Sequence, residues 1–174
     1  MRAFVAIEVP DPHRPGSADA PPAHLTLKFL GEVDPALLGP LGSALPSAVA
    51  TLAPFPLELR GVGAFPDRER PRVAWVGVGE GADVVRDLAR RVDEAAGTVG
   101  LPRENRPFVP HTTWMRIRGP RDLGVAERWL AAGEDRTFGR TVVREVILFE
   151  SELRRDGVIH HPLVRAPLAG GPSV

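Results

Sequence analysis

Cysteine is missing from the 174-residue chain altogether, which excludes disulfides, thiolate metal sites, iron–sulfur clusters and cysteine nucleophiles. No apolar run approaches the roughly 20 residues that a helix needs to cross a bilayer. The opening Met1-Arg2-Ala3-Phe4-Val5-Ala6-Ile7-Glu8 is too short in apolar residues for a secretory signal, so a cytoplasmic protein is expected. An excess of either charge is also missing: 22 basic residues face 22 acidic ones. A surface that coats nucleic acid non-specifically needs a large basic excess and is excluded, whereas a short basic cleft for one phosphate is not. Lys28 is the only lysine, and arginine supplies the rest. With 19 prolines and 18 glycines, that skew is attributed to genome composition rather than to function. Hydrophobic residues at 43% and charged residues at 25% are ordinary globular composition. A chain of this length has room for a real core.

Arg2–Val9 alternates and is rich in β-formers, so it reads as an opening strand. Residues 10–23 carry five prolines and no periodicity, and read as a loop. Residues 24–30 alternate again, with His24, Thr26 and Lys28 on one face and Leu25, Leu27 and Phe29 on the other. Asp34-Pro35 opens a helix by a capping residue followed by proline at the first position. Pro40 and Pro46 predict that this helix, running to about Ala53, is kinked or split in two. Residues 55–60 and Val73–Val78 read as strands, and residues 82–100 as an amphipathic helix through Val84, Val85, Leu88, Val92 and Ala96. A strand over 111–117, a short helix over 122–132, and a hairpin of 142–153 with 158–165 complete the chain. Grouped strands and few helices predict an α+β fold with antiparallel sheets.

The sharpest signal is an internal echo. Pro21-Pro22-Ala23-His24-Leu25-Thr26-Leu27 returns as Pro107-Phe108-Val109-Pro110-His111-Thr112-Thr113-Trp114. In each copy strand parity sets the histidine beside a threonine on one face, His24 with Thr26 and His111 with Thr113. One such pair is commonplace on a strand, but two after proline lead-ins suit two pseudo-symmetric halves. Two imidazoles across a cleft can act as general base and general acid on a phosphodiester, because they titrate near working pH. The threonine hydroxyls can donate to non-bridging phosphate oxygens as negative charge builds there. No metal is required, and a strained cyclic phosphate suits the set best.

With these residues in view the chain resembles the 2H phosphoesterase superfamily, specifically its RNA 2′,3′-cyclic phosphodiesterase branch, the 2′-5′ RNA ligase-like family. The resemblance runs in family order through residues 2–7, 24–33, Gly63-Ala64-Phe65-Pro66 with Arg70-Pro71-Arg72-Val73, residues 106–111, and Leu148-Phe149-Glu150-Ser151-Glu152-Leu153. It implies one domain over 1–174, a bilobal pseudo-symmetric α+β fold with two antiparallel sheets facing across a central cleft and helices outside. Each lobe would contribute one His-x-Thr strand. It further implies hydrolysis of RNA 2′,3′-cyclic phosphate ends to 2′-phosphates, with no cofactor or metal. His111 would activate water and His24 would protonate the leaving 3′-oxygen, an order the sequence alone leaves open. The alternatives are 2′-5′ joining of tRNA halves by the reverse reaction and a nucleotide-binding module without turnover. RNA or nucleotide ends bearing the cyclic phosphate are the implied partners, with no membrane and a monomeric chain. The family's second basic residue maps onto Arg116, which strict alternation sets on the face opposite His111, so a phosphate role there requires a bulge. Lys28 shares the parity of His24 and is the other expected phosphate ligand.

Two departures stand out. Trp114 replaces the leucine usual after the second threonine, which should alter packing more than chemistry. Residues 10–23 leave no room for the helix that the family carries before its first histidine, which predicts a longer native chain with a segment lacking near 16–20. Three further motifs are set aside. Gly77-Val78-Gly79-Glu80-Gly81-Ala82 fits a dinucleotide fingerprint, but no parallel strand with a terminal acid follows the helix. His160-His161 lacks a third ligand at useful spacing, and strand parity splits the two across opposite faces, so they read as hairpin residues. Ser151 sits in no nucleophile elbow.

Overall fold

The computed structural model describes residues 1–15 and 23–171. Within them the chain runs β1 (Arg2–Val9), β2 (Ala23–Glu32), α1 (Pro35–Val49), β3 (Phe55–Phe65), β4 (Val73–Val78), α2 (Ala82–Thr98), β5 (His111–Arg116), α3 (Pro120–Ala132), β6 (Thr137–Val143), β7 (Glu145–Arg154) and β8 (Gly157–Pro167). The segment where extra chain is expected, 16–20, lies outside the described residues.

The strands form two antiparallel sheets, ordered β2-β1-β7-β8 and β5-β4-β3-β6. Alternation explains how they share a core. Val5, Ile7 and Leu25 of the first sheet and Leu57, Leu59 and Val76 of the second all turn to one side, where Leu41 and Leu45 of α1 and Leu88 and Val92 of α2 meet them. α1 packs on α2 and β8, and α2 packs on β2, so the helix that follows a strand of the second sheet covers the first. The opposite face of the first sheet carries a separate small cluster of Phe4, Ala6, Ile147 and Phe149. This is the α+β, two-sheet arrangement that the sequence predicts. No helix among the described residues is long and apolar enough to cross a membrane.

Two expected elements differ. α1 is a single 15-residue helix despite Pro40 and Pro46. Asp34 caps it by accepting from the Ala36 amide at 2.9 Å, and Leu38, Leu41, Leu45 and Val49 form a buried stripe. That burial outweighs the hydrogen bonds that two prolines remove. The run 142–153 is not one strand either. β6 ends at Val143 and pairs with β3, while β7 begins at Glu145 and pairs with β1, so the chain crosses between sheets at Arg144. Both stretches alternate, and nothing in Thr141–Val146 marks the crossing as a turn residue would.

The glycine-rich turn before α2 has a packing cause. Gly81 sits at φ 88°, and a Cβ there would lie 2.6 Å from the Pro56 carbonyl oxygen. The strands around it are antiparallel, as the rejection of a dinucleotide site requires.

Candidate active site

β2 is an edge strand of the first sheet, paired with β1 so that Glu8 opposes His24 and Ala6 opposes Thr26. His24 therefore rises from the face away from the core. Its ring lies against Phe149 at 4.6 Å between centroids and against the edge of Phe4 at 5.8 Å. Burial, followed by the nearby charges of His160 and Arg14, pushes the His24 imidazole down to about 4.

β5 is the edge strand of the second sheet, and it meets β2. The Thr112 hydroxyl, buried between them, donates to the His24 carbonyl at 2.8 Å. His111 and Thr113 lie on the face opposite Thr112, across from Gly77 and Trp75 of β4. The His111 ring is framed by Phe65 at 4.8 Å and Trp75 at 5.8 Å. Its Nδ1 lies 2.6 Å from the Val109 carbonyl. A carbonyl only accepts, so Nδ1 carries the proton and Nε2 is the free position. Burial lowers His111, partly offset by that carbonyl, which favours the charged ring. Gly63 completes this wall, because a Cβ there would fall 2.2 Å from the Trp75 ring that lies across it.

Bulges decide the fate of the two expected basic ligands. In β2 the register slips between Val5↔Lys28 and Ala6↔Thr26, so Leu27 is the extra residue. Past the slip the faces exchange. Phe29 joins the His24 face and is 70% exposed, while Lys28 turns to the core side. There Lys28 Nζ donates to Asp93 at 2.6 Å and to the Pro102 carbonyl at 2.8 Å. Lys28 is thus a buried structural cation tying β2 to α2, and not a phosphate ligand. In β5 the slip between Ala74↔Met115 and Trp75↔Thr113 makes Trp114 the extra residue. It sends Met115 inward and returns Arg116 to the face of His111 and Thr113, where it is exposed. This is the bulge that the sequence reading of Arg116 requires. Trp114 stacks on Trp129 of α3 at 4.0 Å and donates to the His13 carbonyl at 3.2 Å, a packing role as expected.

The outer face of β2 then holds His24 and Thr26 and that of β5 holds His111, Thr113 and Arg116, the two strands being joined by the Thr112 bond to His24. Neither threonine hydroxyl nor the Arg116 guanidinium has a protein partner among the described residues. Sequence reasoning missed His160. β8 pairs with β7 so that Ser151 opposes His160, which sets that ring 5.4 Å from His24. The signal was the hairpin register itself, since Arg155-Asp156 forms the turn and parity then gives His160 the Phe149 face. His161 takes the other face with Glu152, at 2.8 Å. Among the described residues no group of three or more His, Cys, Asp or Glu is placed to hold a metal ion.

The pattern of the 2′-5′ RNA ligase superfamily matches residues 4–154. The chain belongs to this superfamily. Among its relatives, the RNA 2′,3′-cyclic phosphodiesterase of Aeropyrum pernix is 37% identical over 151 residues, which cover 87% of this chain and 85% of that protein. The RNA 2′,3′-cyclic phosphodiesterase of Geobacillus stearothermophilus is 44% identical over 86% of this chain, and the match spans 46% of that protein's length. The crystal structure of E. coli LigT complexed with 3′-AMP superposes with a TM-score of 0.72 at 26% identity, covering 97% of this chain and 98% of that one.

Proposed function

We propose that the protein hydrolyses RNA 2′,3′-cyclic phosphate ends to 2′-phosphates by two-histidine acid–base catalysis without a metal. The observation that carries this reading is the meeting of β2 and β5. The Thr112 bond to His24 joins two edge strands, which supports both imidazoles and both threonine hydroxyls bordering one cleft. The superfamily and the named activity of its relatives support the substrate class.

The cyclic phosphate sits with its non-bridging oxygens on Thr26, Thr113 and Arg116. His111, protonated at Nδ1 by its bond to Val109, presents Nε2 to take a proton from water. Water attacks phosphorus, the bond to the 3′-oxygen breaks, and His24 gives that oxygen its proton. His24 is neutral in the free protein and charges once the phosphate anion is beside it, because an opposite charge favours the imidazolium. That one chain carries both histidines supports a monomeric enzyme, and an RNA substrate supports a cytoplasmic one. The test is incubation of the purified protein with RNA ending in a 2′,3′-cyclic phosphate, in the presence of a chelator. A 2′-phosphate product is expected. No turnover, or a 3′-phosphate product, would refute the reading.

A further inference from the structure

The β7–β8 hairpin brings a third histidine into the cleft. Ser151 Oγ lies 3.1 Å from His160 Nδ1 and fixes the ring. The His160 and His24 rings stand 5.4 Å apart at 78°. Two phenyl rings wall them together: Phe4 is 4.9 Å from His160 and 5.8 Å from His24, and Phe149 is 4.6 Å from His24 and 6.4 Å from His160. At this spacing a charge on one ring is felt by the other.

We propose that His160, oriented by Ser151, is a positioning residue that makes protonation of His24 conditional on a bound phosphate. The two rings differ in access, because His160 is exposed and His24 is half-buried. As pH falls the exposed ring charges first, and its charge then opposes a second proton on His24. An anion between Thr26 and Thr113 offsets that charge and lets His24 become the acid.

The surrounding charges agree. Facing His24 are its cross-strand partner Glu8 on β1, Arg14 in the following loop, and His160 on β8; β5 contributes the uncharged Thr112. Arg14 acts in the same direction as His160 and disfavours a charged His24. Facing His160 are Ser151 on β7 and His24 on β2. The adjacent His161 pairs with Glu152 on the far side, yet after burial its charge also disfavours a charged His160, by less than His24 is disfavoured.

The kinetic part rests on His24 being one of the catalytic pair, whereas the titration does not. NMR titration of the imidazoles in the whole protein compares wild type with His160→Gln, which can still bond Ser151, and His160→Phe, which keeps an aromatic ring. In both variants His24 should titrate about half to two pH units higher, the span that Coulomb's law gives at this spacing for water-like to protein-surface dielectric. The kcat/KM profile against pH should shift toward higher pH with it. If His24 in either variant titrates where it does in wild type, His160 does not supply the charge and the proposal fails. Wild-type protein that cannot open a cyclic phosphate would overturn the proposed function and leave the titration to judge His160.

Discussion

His24 and His111 are both held below the ordinary imidazole value, chiefly by burial, so the free protein carries both neutral at pH 7. Replacing either with alanine should cost about 10²–10⁴-fold in rate, the usual worth of a general acid or base. The double variant should be little worse, because the pair acts as a unit. In wild type kcat/KM should be bell-shaped in pH, because His111 must be neutral and His24 protonated, each being held below the ordinary imidazole value. A rate that only rises through neutrality would count against the pair. Thr26→Val and Thr113→Val should each lose roughly 1.5–3 kcal/mol of transition-state binding, the range for a hydrogen bond to a charged group. Steady-state kinetics with circular dichroism separates that loss from a folding defect. These four residues were legible because a His-x-Thr pair repeats after a proline lead-in. His160 was not, because its place depends on a partner strand and not on its own neighbours.

At the scale of the elements, alternation found most strands and missed the bulges in two of them. One extra residue in β2, Leu27, is enough to exchange the roles of Lys28 and Phe29. Strand parity carries no mark of such a slip, and only the pairing with β1 reveals it. The same blindness merged β6 with β7, and the prolines of α1 misled because a buried leucine stripe counted for more than two lost hydrogen bonds. Lys28→Met tests the reassignment. It removes one partner of a buried ion pair and should cost about 3 kcal/mol of stability by denaturant unfolding, the lower end of the usual range because Arg103 still holds Asp93. Cleavage of a cyclic phosphate should continue at a similar rate. Burial alone would raise Asp93, but hydrogen bonds from Lys28 and Arg103 overcome it and hold the carboxyl at about 2. Its folded value is depressed, so its stabilisation is full above the unfolded value near 4 and is lost as pH falls toward 2. The neutral histidines act earlier, since an unfolded imidazole binds a proton that the folded one refuses. Unfolding midpoints should therefore begin to drop below about pH 6.5 and drop again below about 4.

At the scale of the whole molecule, the cleft depends on how two sheets are held at their edges. Thr112→Val removes the bond to the His24 carbonyl and leaves that buried acceptor unmatched, at a cost of about 1–3 kcal/mol. Because the bond also sets the spacing of the histidines, kcat should fall more than KM rises. The path of the chain has a further consequence. The second sheet takes all its strands from the middle of the sequence, β3 through β6, whereas the first unites β1 and β2 with β7 and β8 from the far end. On the ribosome, then, the usual order of folding from the N-terminus is inverted. The His111 half can close as soon as Val143 has emerged, while β1 and β2 have no neighbour to cover Phe4 and Ala6 until β7 arrives. A nascent chain stalled at Arg144 should resist protease across its middle sheet and be cut within its first two strands. The strand that carries His24 therefore gains its complete sheet only when the final hairpin has been made.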